Sequence, residues 1–158
     1  MQPMANIALR AARKAADFIL LSFDRPDQLR IEEKTSKDFV SNIDKRAEEI
    51  IVEQIQTTYP THNILAEESG TTQVDKSNEY TWIVDPIDGT LNFIRGIPHF
   101  AVSIGIQKGN HLEHGVIVDP INREEYVASR GYGATLNGKK IRVSSSESLQ
   151  DGLVSAGI

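Results

Sequence analysis

Apolar positions along the chain fall into two helical patterns followed by a series of short alternating ones. In the first segment Ala8, Ala12, Ala16 and Ile19 recur at helical spacing, while Arg10, Arg13, Lys14 and Asp17 take other sectors of the wheel. The spacing predicts an amphipathic helix whose alanines allow a partner element to approach closely. Asp24 to Asp27, around Pro26, ends it. Leu29 to Glu33 reads as a short strand and "KTSKDFVS", residues 34–41, as a polar loop. Ser41 with Asp44 three residues on is a shortened relative of the capping box. Ala47, Ile50, Ile51 and Ile55 then carry a second helix to Tyr59, where Pro60 stops it.

Beyond Pro60 the period drops to two. Strands are expected at Asn63 to Ala66 and Tyr80 to Val84, joined by a polar loop. Ala101 to Ile106 sets Val102, Ile104 and Ile106 against Ala101, Ser103 and Gly105, a strand with one bulky face and one small face. His111 to Asp119, Glu124 to Ser129 and Ala134 to Leu136 continue the meander, and Asn137-Gly138 is a strong hairpin signal. The fold class this predicts is α+β, two helices packed on an antiparallel sheet. After the polar "VSSSESLQDG" an apolar run opens at Leu153. Residues 1–147 are therefore read as one domain, and 148–158 as a linker and the first strand of a second domain.

Composition narrows the function classes. A chain of 158 residues with 39% hydrophobic and 25% charged positions suits one soluble domain with a substantial core. A net charge of −5 gives no electrostatic footprint for nucleic acid or an anionic membrane. The absence of cysteine excludes disulfides and thiolate metal sites, and suits a cytoplasmic setting. The charges inside the first apolar pattern do not read as an export signal, and no stretch is long enough to span a bilayer.

The candidate chemistry lies in "YTWIVDPIDGTLNF", residues 80–93. Pro86 holds Asp85 extended and lacks an N–H, so the strand is expected to end at Asp85 with its carboxylate at the sheet edge. Asp88 stands where an N-cap would, before a short helix opening at "GTLNF". Two carboxylates on such a bend can converge on a hard cation, with the Ile87 carbonyl between them. The amides of Gly89 and Thr90 would face a phosphate. Taken alone, "DPIDGT" is equally well a turn and a helix cap. Glu67 and Glu68 close the strand at Ala66 as Asp85 closes another. If the two strands are neighbours, Glu67, Asp85 and Asp88 meet at one rim, where mutual repulsion calls for cations. All-oxygen ligands point to Mg²⁺ rather than Zn²⁺.

"AEESG" and "WIVDPIDGTLNFIRGIPHFAVSIG" together resemble the inositol monophosphatase family of Mg²⁺-dependent, lithium-sensitive phosphatases. "MQPMANIALRAARKAADFIL" and "KDFVSNIDKRAEE" resemble its bacterial SuhB-type branch. The resemblance extends over essentially the whole chain. It implies the N-terminal half of a layered α/β sandwich and hydrolysis of myo-inositol monophosphates by metal-activated water. Two to three Mg²⁺ ions are implied. Glu67, Asp85 and the Ile87 carbonyl match a first metal site, Asp85 and Asp88 a second, and Glu67 also a weaker third. Thr90 and Asp44 match the pair that orients and deprotonates the attacking water, with Glu67 beside them. Asp88, Gly89 and Thr90 match substrate-contacting positions of the family, and Lys34 matches a loop lysine near the metals. A further aspartate of the second site, and the groups that hold the inositol ring, come from a second domain in this family. A homodimer is implied for the full-length form.

The chemistry fits these residue types, since divalent ions acidify water and clamp the attacking and leaving oxygens. Thr90 can take the water's proton in a hydrogen bond and pass its own to Asp44. Sugar and nucleotide phosphates are the neighbouring substrate classes. A reading of another class is a partner role in the transcription machinery, which SuhB-type proteins have in antitermination. An inactive fragment is a third. Elsewhere, His99 reads as a packed, hydrogen-bonded residue, His111 and His114 lack metal-ligand spacing, and Trp82 reads as core.

Overall fold

The structure, a computed structural model, describes residues 2–35, 38–72, 75 and 77–154; the side chains of 28, 33–35, 38–40 and 151 are outside that description. Helix α1 runs Pro3–Phe23, with Pro3 in the first turn, where its missing N–H costs no bond. Ala5, Ala8, Ala12, Ala15 and Ala16 share its buried face with Leu9 and Ile19. That face packs on helix α2 (Asn42–Thr58) and on the sheet. At α2 the predicted cap is present: Ser41 accepts from the Asp44 amide, and Asp44 Oδ2 accepts from the Ser41 amide at 2.9 Å.

Strands β1 (Ile31–Thr35) and β2 (Asp38–Ser41) form a small antiparallel sheet. The expected strand at Leu29 to Glu33 is thus shifted by two residues, and the segment read as a polar loop contains β2. The main sheet comprises β3 (Asn63–Ala66), β4 (Gly70–Thr72), β5 (Tyr80–Asp88), β6 (Ala101–Lys108), β7 (His111–Asp119), β8 (Glu124–Ser129), β9 (Gly133–Leu136) and β10 (Lys139–Ile141), in the order β10-β9-β8-β7-β6-β5-β3-β4. All neighbours are antiparallel except β3 and β5, which run parallel. The α+β class holds, with helices on a mostly antiparallel sheet. The β9–β10 hairpin turns at Asn137 (φ 49°) and Gly138 (φ 77°), both left-handed, as a two-residue turn requires. Leu153 and Val154 are exposed and not in a strand, and the rest of the strand expected from 153, residues 155–158, lies outside the described residues.

The core lies between the two helices and one sheet face. Registers Trp82↔Ile106, Val84↔Ile104, Ile104↔Val116 and Val102↔Val118 stack buried side chains across three strands. Each such Val or Ile contributes about 1.5–3 kcal/mol on full burial. The opposite face leaves Leu65, Ile83 and Ile117 partly open to solvent. Trp82 is fully buried, and its Nε1–H donates to His62 Nδ1 at 2.9 Å. The His62 ring is stacked between Tyr59 and Tyr80, at 4.6 and 5.0 Å.

That hydrogen bond needs an unprotonated Nδ1, and burial lowers the His62 pKa from its ordinary 6.5. With the folded-state pKa depressed, the unfolded chain takes up the proton first as pH falls, so the contact's stabilisation is complete above about pH 6.5 and declines below it. Acidification below about pH 6 should change the emission of Trp82, the only tryptophan. A His62→Gln variant should lose that response; an unchanged titration would contradict this contact.

Candidate active site

Parallel pairing of β3 with β5 brings the carboxyl ends of both strands to one rim, and the Glu67 amide extends the ladder by donating to the Val84 carbonyl at 3.1 Å. Glu67 therefore sits beside Asp85. The strand does not stop at Asp85 as expected but continues to Asp88. The register with β6 slips between Asp85↔Ser103 and Asp88↔Ala101, three steps on β5 against two on β6. This is a one-residue bulge, at Pro86 and Ile87, both buried. Residues three apart on a regular strand point to opposite faces. The extra residue restores Asp88 to the side of Asp85, which is how "DPID" aims both acids at one place.

Asp85 records that crowding. Burial first, then a hydrogen bond with Glu67 and the negative charges of Glu67 and Asp88, push its carboxyl up from 3.8 to about 8, while the Ile87 amide acts the other way. Asp85 Oδ1 is buried without a hydrogen-bond partner among the described residues. Glu67 and Asp88 are exposed. Among the described residues no three Asp, Glu or His side chains are grouped closely enough to hold a metal ion on their own. The oxygens at this rim are those of the adjoining Glu67 and Asp85 carboxylates, one of them orphaned, and the Ile87 carbonyl that meets Thr90. Such an all-oxygen set fits a hard cation that keeps some of its waters, as Mg²⁺ does.

Thr90 opens the short helix α3 (Thr90–Ile94). The N-cap is Gly89, not Asp88, which remains in the strand. Gly89 has φ 103°, and a Cβ there would meet the His99 carbonyl oxygen at 3.0 Å and Phe100 Cβ at 3.2 Å. Only glycine meets both constraints without strain. The Thr90 hydroxyl lies 3.0 Å from Asp44 Oδ1 and 2.9 Å from the Ile87 carbonyl oxygen. With one proton to give, it can donate fully to only one of them. Asp44 is 1% exposed, and its other oxygen is held by the Ser41 amide and hydroxyl. Below α3, Phe93, Phe100 and Phe23 form an aromatic cluster with centroids 5.1–5.7 Å apart. This anchors "NF" and "PHF" and fixes the loop between them, helped by Asn92 donating to the His99 carbonyl at 2.8 Å.

Asp44, Glu67, Asp85, Ile87, Asp88, Gly89 and Thr90 thus share one end of the sheet. The Lys34 side chain lies outside the described residues. His99 is exposed rather than packed, its backbone carrying the contacts. His114 pairs with Ser129 at 2.9 Å. Glu48 has the sequence context of a solvated helix acid, but it is 3% exposed, with both oxygens accepting from the amides of Glu68 and Ser69.

The profile of the inositol monophosphatase family matches residues 1–158, and the chain belongs to that family. It is 49% identical over 158 residues to a Nus factor SuhB of Pseudomonas aeruginosa and 43% identical over 157 residues to that of Escherichia coli K12. Each alignment covers 99% of this chain and 58% of the relative, so the chain spans less than two thirds of the length of the curated relatives it matches. Among solved structures, the extragenic suppressor protein suhB of Bartonella henselae superposes with a TM-score of 0.90 at 37% identity, over 94% of this chain and 57% of that one. An inositol monophosphatase from Anabaena superposes with a TM-score of 0.77 at 34% identity, over 92% and 51%.

Proposed function

We propose that this chain carries the metal-binding and water-activating residues of a Mg²⁺-dependent phosphate-monoester hydrolase acting on myo-inositol monophosphates. The observation that carries the proposal is the Glu67–Asp85 pair, with a buried Asp85 oxygen lacking a partner, beside the Asp44–Thr90 contact. Glu67, Asp85 and the Ile87 carbonyl would hold a first cation, and Asp85 and Asp88 would contribute to a second. Mg²⁺ bound there supplies neutralisation of phosphate charge and acidification of water. The chain's own residues do the rest. Thr90 would orient the attacking water, take up its proton and pass its own hydroxyl proton to Asp44, so that the water becomes the nucleophile and Thr90 stays neutral. The amides of Gly89 and Thr90, where α3 opens, would face a phosphate oxygen. A further domain after about residue 147, a homodimer, lithium sensitivity and a cytoplasmic location belong to the same reading. Among the described residues, no helix is long and apolar enough to cross a membrane.

The test is phosphate release from inositol 1-phosphate, with sugar and nucleotide monophosphates beside it, in Mg²⁺ and in chelator. Release that requires Mg²⁺ and is fastest on the inositol ester is expected. Equal release in chelator would defeat the proposal. A second reading has its own support, since the relatives named above are called Nus factors. A protein partner in the transcription machinery would use the surface rather than the acids, with no direct nucleic-acid contact expected. Asp88→Asn separates the two, abolishing hydrolysis while sparing a protein contact.

Protons compete with the cation at Asp85. Because its carboxyl is pushed up to about 8, the anionic form that binds metal gains population as pH rises. Apparent Mg²⁺ affinity should therefore increase between about pH 6 and pH 8 and level off above. Calorimetric titration across that range checks this, and a flat profile would contradict it.

A further inference from the structure

We propose that Glu48 is a positioning residue for the turn that carries Glu67, and that one face of α2 sets the spacing between the two halves of the site. The proposal rests on the reading of Glu67 as a cation ligand. Glu48 Oε2 accepts the Glu68 amide at 2.7 Å and Oε1 accepts the Ser69 amide at 2.9 Å. Those two amides directly follow Glu67, in the turn between β3 and β4. A carboxylate 3% exposed is costly to bury unless its oxygens are satisfied. Here both oxygens are taken by main-chain donors, and charge-assisted bonds of this kind are the stronger ones. The turn is consequently fastened to α2 at the two residues after its ligand.

Asp44 stands four residues before Glu48, so both project from the same helical face about one turn apart. Asp44 meets the Thr90 hydroxyl and Glu48 meets the Glu67 turn. Four residues of helix rise about 6 Å, a rigid interval that relates the water-orienting side of the site to its metal side. The register of α2 is itself fixed by the Ser41 cap at its first turn. A residue that served only to fill space here would be apolar, since its neighbours Ala47 and Ile51 are fully buried. The choice of a two-oxygen acceptor, aimed at two successive amides, is what a device for holding a turn requires.

Glu48→Gln tests this. The amide side chain keeps one acceptor and turns an N–H₂ toward the other backbone N–H, so one of the two bonds is lost and two donors face each other. Calorimetric Mg²⁺ titration is run on the 158-residue chain as wild type, Glu48→Gln, Asp85→Asn and Ile51→Val, with amide hydrogen exchange on the first two. Ile51→Val trims the core one turn along α2 without touching the turn, and so controls for general loss of stability. Glu48→Gln should retain its far-ultraviolet circular dichroism, weaken Mg²⁺ binding by about 10–100-fold and speed exchange at Glu68 and Ser69. Ile51→Val should bind as wild type does. Unchanged affinity in Glu48→Gln, with binding lost in Asp85→Asn, would overturn the positioning role and leave the metal site standing. Equal weakening in Ile51→Val would also overturn it. Absence of binding in the wild type would overturn the metal reading and this proposal with it. Should Glu48→Gln fail to fold, exchange in the wild type decides. The Glu68 and Ser69 amides should be protected and slow further with Mg²⁺, and indifference to Mg²⁺ would refute the coupling.

Discussion

Asp44→Asn is expected to lower turnover by about 10²–10⁴ with little change in KM. Both carboxylate oxygens of Asp44 are engaged. One accepts from the amide and hydroxyl of Ser41, and the other faces the Thr90 hydroxyl at 3.0 Å. An asparagine has only one acceptor oxygen. To keep the buried helix cap it must give that oxygen to Ser41 and turn its N–H₂ toward Thr90. The hydrogen bond then runs backwards, Thr90 becomes the acceptor, and its own proton is left to the Ile87 carbonyl 2.9 Å away. Thr90 could no longer pass a proton to residue 44. Substrate contacts are untouched, so the loss should fall on kcat. Steady-state kinetics on the wild type and variant decides the matter. A defect confined to KM would make Asp44 a mere support for a phosphate-binding Thr90.

The second large effect concerns what completes the site. Joining these 158 residues to the part of the Pseudomonas aeruginosa relative that the match does not cover should raise turnover on inositol 1-phosphate by about 10²–10³, if the proposed function holds. Asp85 and Asp88 offer two carboxylates to a second cation, and among the described residues no third acid or imidazole completes a metal-holding group. Mg²⁺ demands near-octahedral coordination. Placement of the reacting ester also depends on groups that grip the rest of the substrate, and misplacement is costly in rate. The outer sheet face, with Leu65, Ile83 and Ile117 partly open, offers apolar area for such a segment to cover. Phosphate release by the two forms at saturating Mg²⁺ is the comparison. Equal turnover would show that the residues present here suffice.

Much of this architecture was legible in the chain because its signals are local. The alanine stripe of α1, the Ser41–Asp44 cap and the Asn137-Gly138 turn each rest on residues within a turn or two of one another. The alternation of Val102, Ile104 and Ile106 foretold a strand with a buried face, and all three are buried. What escaped depends on distant partners. Strand β2 has no apolar alternation of its own and exists by pairing with β1. Strand β4 is three residues long at the sheet edge. The parallel sense of β3 and β5 is not written in either segment, since each looks the same in both orientations.

At the site, the residue types were legible and their geometry only partly so. Pro86 has the signature of a strand stop, yet the strand resumes after a bulge, because the Asp88↔Ala101 pairing recovers the ladder beyond it. Asp88 looked like a helix cap from its place before "GTLNF", but the left-handed Gly89 takes that position. Glu48 was invisible for a plainer reason. A glutamate in a helix is most often solvated, and nothing in its own segment announces that two amides some twenty residues later will need an acceptor.

The proposed function rests on a cation site formed by Glu67, Asp85 and the Ile87 carbonyl. Its most direct test is calorimetric titration of Mg²⁺ into the wild type and Asp85→Asn, at a pH above about 8 so that the Asp85 carboxyl is ionised. Saturable binding is expected in the wild type and its loss in Asp85→Asn, which removes the anion but keeps the shape. Equal Mg²⁺ binding in both, or none in the wild type, would contradict it.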